Sequence, residues 1–259
     1  MPLPVGYRDG KNYLSIGRPW DAWSPTQRHP SLRDIARSPT LVKTMPTQRW
    51  RKYFEADIPN SAVTPREALQ LLMEGNQRFV AGCPRAKTPM ERRAQFAAGQ
   101  SPIASVLCCA DSRVAPEILF DQPLGEIFSV RVAGNFLHDD GLASLEYAIL
   151  KLGTPLIFVL GHRDCGAVKA AMLDARERVA LPGKLPALVD ALVPAVQHAL
   201  AQHPADPLDA CIRTNVAFEV RDIARAEPLI APFVEEGRVL VVGGMVDVAT
   251  GEVTMVDAA

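Results

Sequence analysis

The chain has 259 residues, 48% hydrophobic and 22% charged, with a formal net charge of -1. That composition excludes a wholly disordered, collagen-like or disulfide-scaffold protein, and no run approaches the ~20 uninterrupted apolar residues that a membrane-spanning helix needs. Five cysteines is an odd and low number. With no secretory pattern at the N-terminus, a cytoplasmic protein is expected, with its cysteines as thiols or metal ligands.

Residues 1–60 are composed differently from the rest. They hold ten Lys/Arg against five Asp/Glu, a net of +5. All three tryptophans (Trp20, Trp23 and Trp50) and three of the four tyrosines (Tyr7, Tyr13 and Tyr53) lie here, and nine prolines fall between Pro2 and Pro65. Proline at this frequency breaks helices and favours turns or extended chain, so this segment cannot build its own core. Its aromatics argue against a simply solvated tail. The expectation is an arm, residues 1–60, that wraps its own domain or a partner subunit, or that docks another protein. The basic residues are scattered rather than clustered, so neither a nucleic acid nor a membrane surface is the expected partner.

A folded domain, residues 61–259, opens at Thr64-Pro65-Arg66-Glu67. Thr at the N-cap, Pro at the first helical position and Glu three residues after the cap form a capping box. The helix runs on through Leu69, Leu72, Met73 and Phe79 to a stop near Gly82. A second helix is predicted over 92–98, ending at Gly99. Strand-length apolar runs follow at 104–109, 127–133, 156–161 and 239–246, with helical stretches at 142–152, 166–179, 185–200 and 213–226. Near-continuous apolar strands alternating with helices predict an α/β fold, a mostly parallel four-stranded sheet with helices on both faces. A hairpin turn at 249–251, pairing 245–248 with 252–257, would add an antiparallel fifth strand.

In such sheets, ligands bind at the carboxyl ends of strands, and two strand ends here carry metal-type residues. The first ends in Cys109-Ala110-Asp111-Ser112-Arg113, the third in Gly161-His162-Arg163-Asp164-Cys165-Gly166. If these strands are neighbours, Cys109, His162 and Cys165 converge. Two thiolates and an imidazole with one position to spare is the donor set of a catalytic zinc site. A lone buried cysteine is more often a small hydrophobe, and Cys83, Cys108 and Cys211 are read that way. Cys108 should point away from Cys109, because side chains alternate along a strand. Asp111 and Arg113 share a face of an extended segment, which permits a bidentate carboxylate–guanidinium pair. Such a carboxylate stays ionised and acceptor-only, suited to receive the hydrogen of a zinc-bound hydroxide. The plain alternative is a structural salt bridge.

These motifs in this order resemble those of the β-class carbonic anhydrases, which carry Cys-x-Asp-Ser-Arg and His-x-x-Cys. The similarity extends to Asp121-Gln122, Gly125-Glu126-Ile127-Phe128, Arg131-Val132-Ala133-Gly134-Asn135 and Ser144-Leu145-Glu146-Tyr147-Ala148, from about Thr64 to Asp257. The resemblance implies reversible CO₂ hydration to bicarbonate and a proton, with Zn²⁺ on Cys109, His162 and Cys165. It also implies an Asp111–Arg113 catalytic dyad, and substrate binding by Gln122 and Gly166. A homodimer or dimer of dimers is implied too, with Gln122 acting across the dimer interface. Some members bind regulatory bicarbonate through a tryptophan, an arginine and a tyrosine. Arg131 and Tyr147 match two of these, but Val106 stands where the tryptophan would be, so a site that is always open is expected. His138 and Asp139 follow the Asn135 turn and are candidates for proton transfer. Rival readings are a carbonyl sulfide or carbon disulfide hydrolase on the same scaffold and a non-catalytic zinc docking protein.

Overall fold

The computed structural model describes residues 58–85, 96–97 and 99–257. Five strands, β1 (Ala104–Cys108), β2 (Ile127–Arg131), β3 (Leu156–His162), β4 (Leu240–Val246) and β5 (Val253–Val256), form one sheet in the order β2-β1-β3-β4-β5. The first four are parallel, and β5 runs antiparallel to β4. Every residue of β1 and β3 is buried. This agrees with their unbroken apolar runs, since a parallel strand covered on both faces has no solvent side to mark with polar residues.

Eight helices are found among the described residues: α1 (Pro65–Val80), α2 (Pro116–Leu119), α3 (Asp139–Leu152), α4 (Gly166–Ala171), α5 (Ala175–Val179), α6 (Leu185–Leu200), α7 (Pro207–Ala224) and α8 (Ile230–Glu235). Alternation divides the core between the two sheet faces. Val106, Cys108, Phe158 and Leu160 pack on one face with Leu72 of α1 and Phe120. Leu107, Ile157 and Val159 pack on the other with Leu145 of α3, Val216 of α7 and Phe233 of α8. A third cluster gathers Cys109, Cys165, Val168, Leu192, Val196 and Ile212 around the start of α4.

The predicted capping box is present. The Thr64 side chain accepts from the Glu67 N–H and the Glu67 carboxylate accepts from the Thr64 N–H. The helix predicted over 185–200 has those bounds. Elsewhere local chemistry moves the boundaries. The stretch 166–179 is two helices, because Asp174 caps α5 with its own capping box, accepting from the N–H groups of Arg176 and Glu177. The start of α7 lies ahead of the predicted residue 213, where Asp206 caps it and Pro207 fills the first position. β5 pairs with Gly243–Val246 rather than with 245–248, since the Asp247–Gly251 turn consumes the last residues of that stretch. The short helices α2 and α8 were not predicted. The proposed arm falls outside the described residues except at 58–60, and so does most of the helix expected at 92–98. No helix among the described residues is long and apolar enough to cross a membrane.

Gly75 allows α1 to lie directly on the segment after α2. A Cβ there would overlap the Phe120 carbonyl oxygen and sit 3.0 Å from Gln122 Nε2. Gly75→Ala is therefore expected to cost about 2 kcal/mol or more through overpacking, read as a lower urea midpoint. An unchanged midpoint would contradict this close approach.

Candidate metal centre

Parallel pairing of β1 with β3, in register from Ser105↔Ile157 to Cys108↔Leu160, brings both carboxyl ends to one edge. Cys109 follows β1, His162 ends β3, and Cys165 sits at the start of α4. One ligand atom from each lies within 4.8 Å of the others, and all three side chains are buried. The three residues that sequence spacing singled out are brought together. Cys108 packs on the opposite face as alternation requires, and burial pushes its thiol up to about 12. Cys211 is buried beside α6, and Cys83 is exposed.

The cluster is charged in a graded way. Cys109 is pulled down, chiefly by the hydrogen bond it receives from Cys165, with burial opposing and His162 and the Gly134 N–H assisting. Cys165, as the donor in that bond and buried, moves upward. Burial disfavours a charged His162 ring, and the nearby Cys109 thiolate outweighs it, so His162 also moves upward. In the direction of each shift the largest cause lies in the three groups themselves, so the cluster is electrostatically coupled, as a set of metal donors is.

His162 carries the more pointed evidence. Its Nδ1 lies 2.9 Å from the Arg163 carbonyl oxygen, so Nδ1–H donates there. The lone pair is left on Nε2, which is buried and has no hydrogen-bond partner among the described residues. A carbonyl that fixes the tautomer and an orphaned opposite nitrogen are the arrangement of a metal-binding histidine. Two sulfur atoms and one nitrogen fit zinc, with a fourth position for water or substrate.

Asp111 stands beside this trio, its Oδ2 3.9 Å from His162 Nε2. Arg113 grips it through Nε–Oδ1 at 3.0 Å and Nη2–Oδ2 at 2.7 Å, and the Arg113 N–H also donates to Oδ1. This pair holds the Asp111 carboxyl well below the usual carboxylate range. Gly166 opens α4, and a Cβ added there would meet nothing within 4 Å, so there is open space next to Cys165. Gln122 is buried, and its amide donates to the Leu71 and Phe120 carbonyls rather than to the cluster of its own chain. His138 caps α3 by accepting the Gly141 N–H at Nδ1.

Sequence reasoning missed how the turn after β1 is held. Arg131, which matches one residue of the regulatory anion site that the Val106 departure argued against, donates to the carbonyls of Cys109 and Asp111. Tyr147, its companion in that reading, lies against Phe128 with ring centroids 6.3 Å apart. The Gly134 N–H donates to Cys109 Sγ at 3.3 Å. The Gly134 carbonyl accepts from Asn215 on α7, and Leu137 N–H donates to Glu219 on the same helix. No short-range pattern announces contacts spanning 81 and 82 residues.

The chain matches the family model described as carbonic anhydrase over residues 104–253, a span that contains both motif strings. It is 46% identical over 140 residues to carbonic anhydrase 2 of Mycobacterium tuberculosis, covering 54% of this chain and 67% of that one. It is 34% identical over 200 residues to a carbonic anhydrase of Pseudomonas aeruginosa, covering 73% and 87%. The structure of a Coccomyxa β-carbonic anhydrase in complex with acetazolamide superposes with a TM-score of 0.58 at 26% identity, covering 72% of this chain and 85% of that one. Sheet order, donor set and relatives agree, and the chain belongs to the β-class carbonic anhydrase family. The Cys109, His162 and Cys165 cluster matches that family's zinc site.

Arg113→Ala leaves the three metal donors in place and frees Asp111. Turnover is expected to fall about 10- to 100-fold, the usual cost of removing a partner just outside the ligand sphere, with zinc content unchanged. The sign of the pH effect follows from the lowered Asp111 pKa. In the wild type Asp111 is ionised throughout the ordinary working range, whereas in the variant its titration moves up toward about 4. A variant with wild-type turnover and acid limb would show the pair to be a plain salt bridge.

Proposed function

We infer that this protein is a zinc-dependent carbonic anhydrase that interconverts CO₂ and bicarbonate, and the observation that carries it is the buried convergence of Cys109, His162 and Cys165, with His162 Nε2 lacking a hydrogen-bond partner among the described residues. Zinc held by Cys109, His162 and Cys165 would act as a Lewis acid that makes hydroxide available from water near neutral pH, where free water has a pKa of about 15.7.

The chain's own residues account for the rest. Asp111, kept ionised by Arg113, offers an oxygen that can only accept. It therefore receives the nucleophile's hydrogen and turns a lone pair toward the substrate. Phe136, Ala167, Val168 and Met245 pack in the same apolar cluster as the two cysteines, an environment that suits a linear, uncharged substrate. Gly166 leaves room beside Cys165 for a small oxyanion. Gln122 is assigned to hold a substrate or product oxygen in the site of a second subunit.

A homodimer, or a dimer of dimers, is proposed on the edge of the sheet. β2 has a strand neighbour on one side only. The exposed apolar residues Ile118, Leu124 and Tyr147 belong to the segments around it. The site is read as always open, because Val106 is buried in β1 and Arg131 is engaged with the backbone of the site. Five thiols, none in a disulfide, suit a reducing compartment such as the cytoplasm. Residues 1–60 are proposed as an arm that wraps its own domain or a partner subunit, with docking of another protein as the alternative, ahead of a catalytic domain at 61–259.

Stopped-flow CO₂ hydration by zinc-replete protein is expected to be fast, to be lost on chelation and to return with Zn²⁺. Two thiolates donate more charge than imidazoles do, so turnover should rise into alkaline pH. A zinc-replete sample without hydration would overturn the assignment, and a rate that is flat from acid to alkaline pH would contradict the nucleophile.

A further inference from the structure

The metal thiolate of Cys109 receives one backbone hydrogen bond whose donor, Gly134, belongs to a loop with little structure of its own. Residues 134–137 connect β2 to α3. What holds them lies on α7, where Asn215 and Glu219 are one turn apart on the same face. Asn215 is 2% exposed. Its Nδ2 donates to the Gly134 carbonyl at 3.0 Å, and Glu219 Oε2 accepts from the Leu137 N–H at 2.7 Å. Gly134 is squeezed from the other side, for a Cβ there would lie 2.8 Å from Leu192 Cδ1 and 3.1 Å from Ala167 Cβ. Its φ of +84° also favours glycine. The loop is thus held at the Gly134 carbonyl and the Leu137 N–H, with little room around Gly134, and the Gly134 N–H donates to Cys109 Sγ.

We propose that Asn215 and Glu219 are positioning residues that act as a two-point clamp on the 134–137 loop, and through the Gly134 N–H set how much charge the Cys109 thiolate gives to the metal. The proposal rests on the zinc reading of Cys109, His162 and Cys165. A hydrogen bond to a thiolate draws off part of its charge. A metal bound to such a sulfur is more electron-poor, and a more electron-poor metal lowers the pKa of its water further. Glu219 serves the clamp in either protonation state. Burial pushes its carboxyl up to about 7, and both the acid and the carboxylate keep an oxygen that accepts from Leu137.

The test uses Co²⁺-substituted full-length protein, with the sulfur-to-cobalt charge-transfer band as a readout independent of turnover. Asn215→Ala and Glu219→Leu are each expected to move that band to lower energy, because a thiolate relieved of its hydrogen bond is a better donor. On the zinc forms, the alkaline midpoint of turnover should rise by about half a pH unit, the size of one hydrogen bond of ordinary net strength. Glu219→Gln retains an acceptor for Leu137 and should keep the wild-type band. If Asn215→Ala does not fold, the two Glu219 variants carry the comparison alone. A folded Asn215→Ala or Glu219→Leu with an unmoved band and midpoint overturns the clamp, as does a Glu219→Gln band shifted as far as that of Glu219→Leu. Absence of a sulfur-to-cobalt band in the wild type would instead sink the metal assignment.

Discussion

The parallel pairing of β1 with β3 is the constraint on which the rest depends. Both strands are buried along their whole length, so a register slip of one residue would carry every side chain to the wrong face. With Cys108 opposite Leu160, Cys109 and His162 are the residues that emerge together at the carboxyl edge. Cys165 is delivered by the tight turn into α4, where Asp164 adopts a left-handed backbone with φ of 65°. The same sheet admits α7 closely. A Cβ at Gly161 would lie 2.6 Å from Val216 Cγ2, and one at Gly243 would lie 2.5 Å from Val216 Cγ1. Two glycines at the crossing of β3, β4 and α7 therefore set the height of a helix whose next polar face reaches the loop beside the metal donors.

Electrostatics make the site specific. Gathering two sulfurs and an imidazole where water is excluded is unfavourable unless positive charge or hydrogen-bond donors compensate. Part of the compensation is built in. Arg131 binds the carbonyls on either side of Ala110, and the Gly134 N–H meets Cys109 Sγ. Arg113 neutralises Asp111 without entering the cluster. Among the described residues His162 Nε2 has no hydrogen-bond partner, and a bound cation would answer that deficit. One metal donor, Cys109, and the Asp111–Arg113 ion pair thus come from adjacent parts of one short strand-to-turn segment, while β3 and the start of α4 bring His162 and Cys165.

The sheet and the metal donors were legible in the sequence because each is written locally. Buried parallel strands show as unbroken apolar runs, and Cys109-to-Arg113 and His162-to-Cys165 are contiguous strings at strand ends. The Thr64 to Glu67 capping box was legible for the same reason. The break between α4 and α5 was written locally too, in Asp174 and Glu177, but helical periodicity across 166–179 masked it. The start of α7 at Asp206-Pro207 was obscured by the surrounding proline- and alanine-rich chain. The supports of the site were not legible. Arg131, Asn215 and Glu219 act through contacts 20 to 82 residues distant, and only the register of the folded sheet brings them to bear.

The most direct test of the metal centre is zinc K-edge X-ray absorption on the purified full-length protein. Two sulfur scatterers at about 2.3 Å, one imidazole nitrogen at about 2.0–2.1 Å and one further light atom are the predicted shell. A shell of four protein donors, or one without sulfur, would contradict a catalytic site built on Cys109, His162 and Cys165.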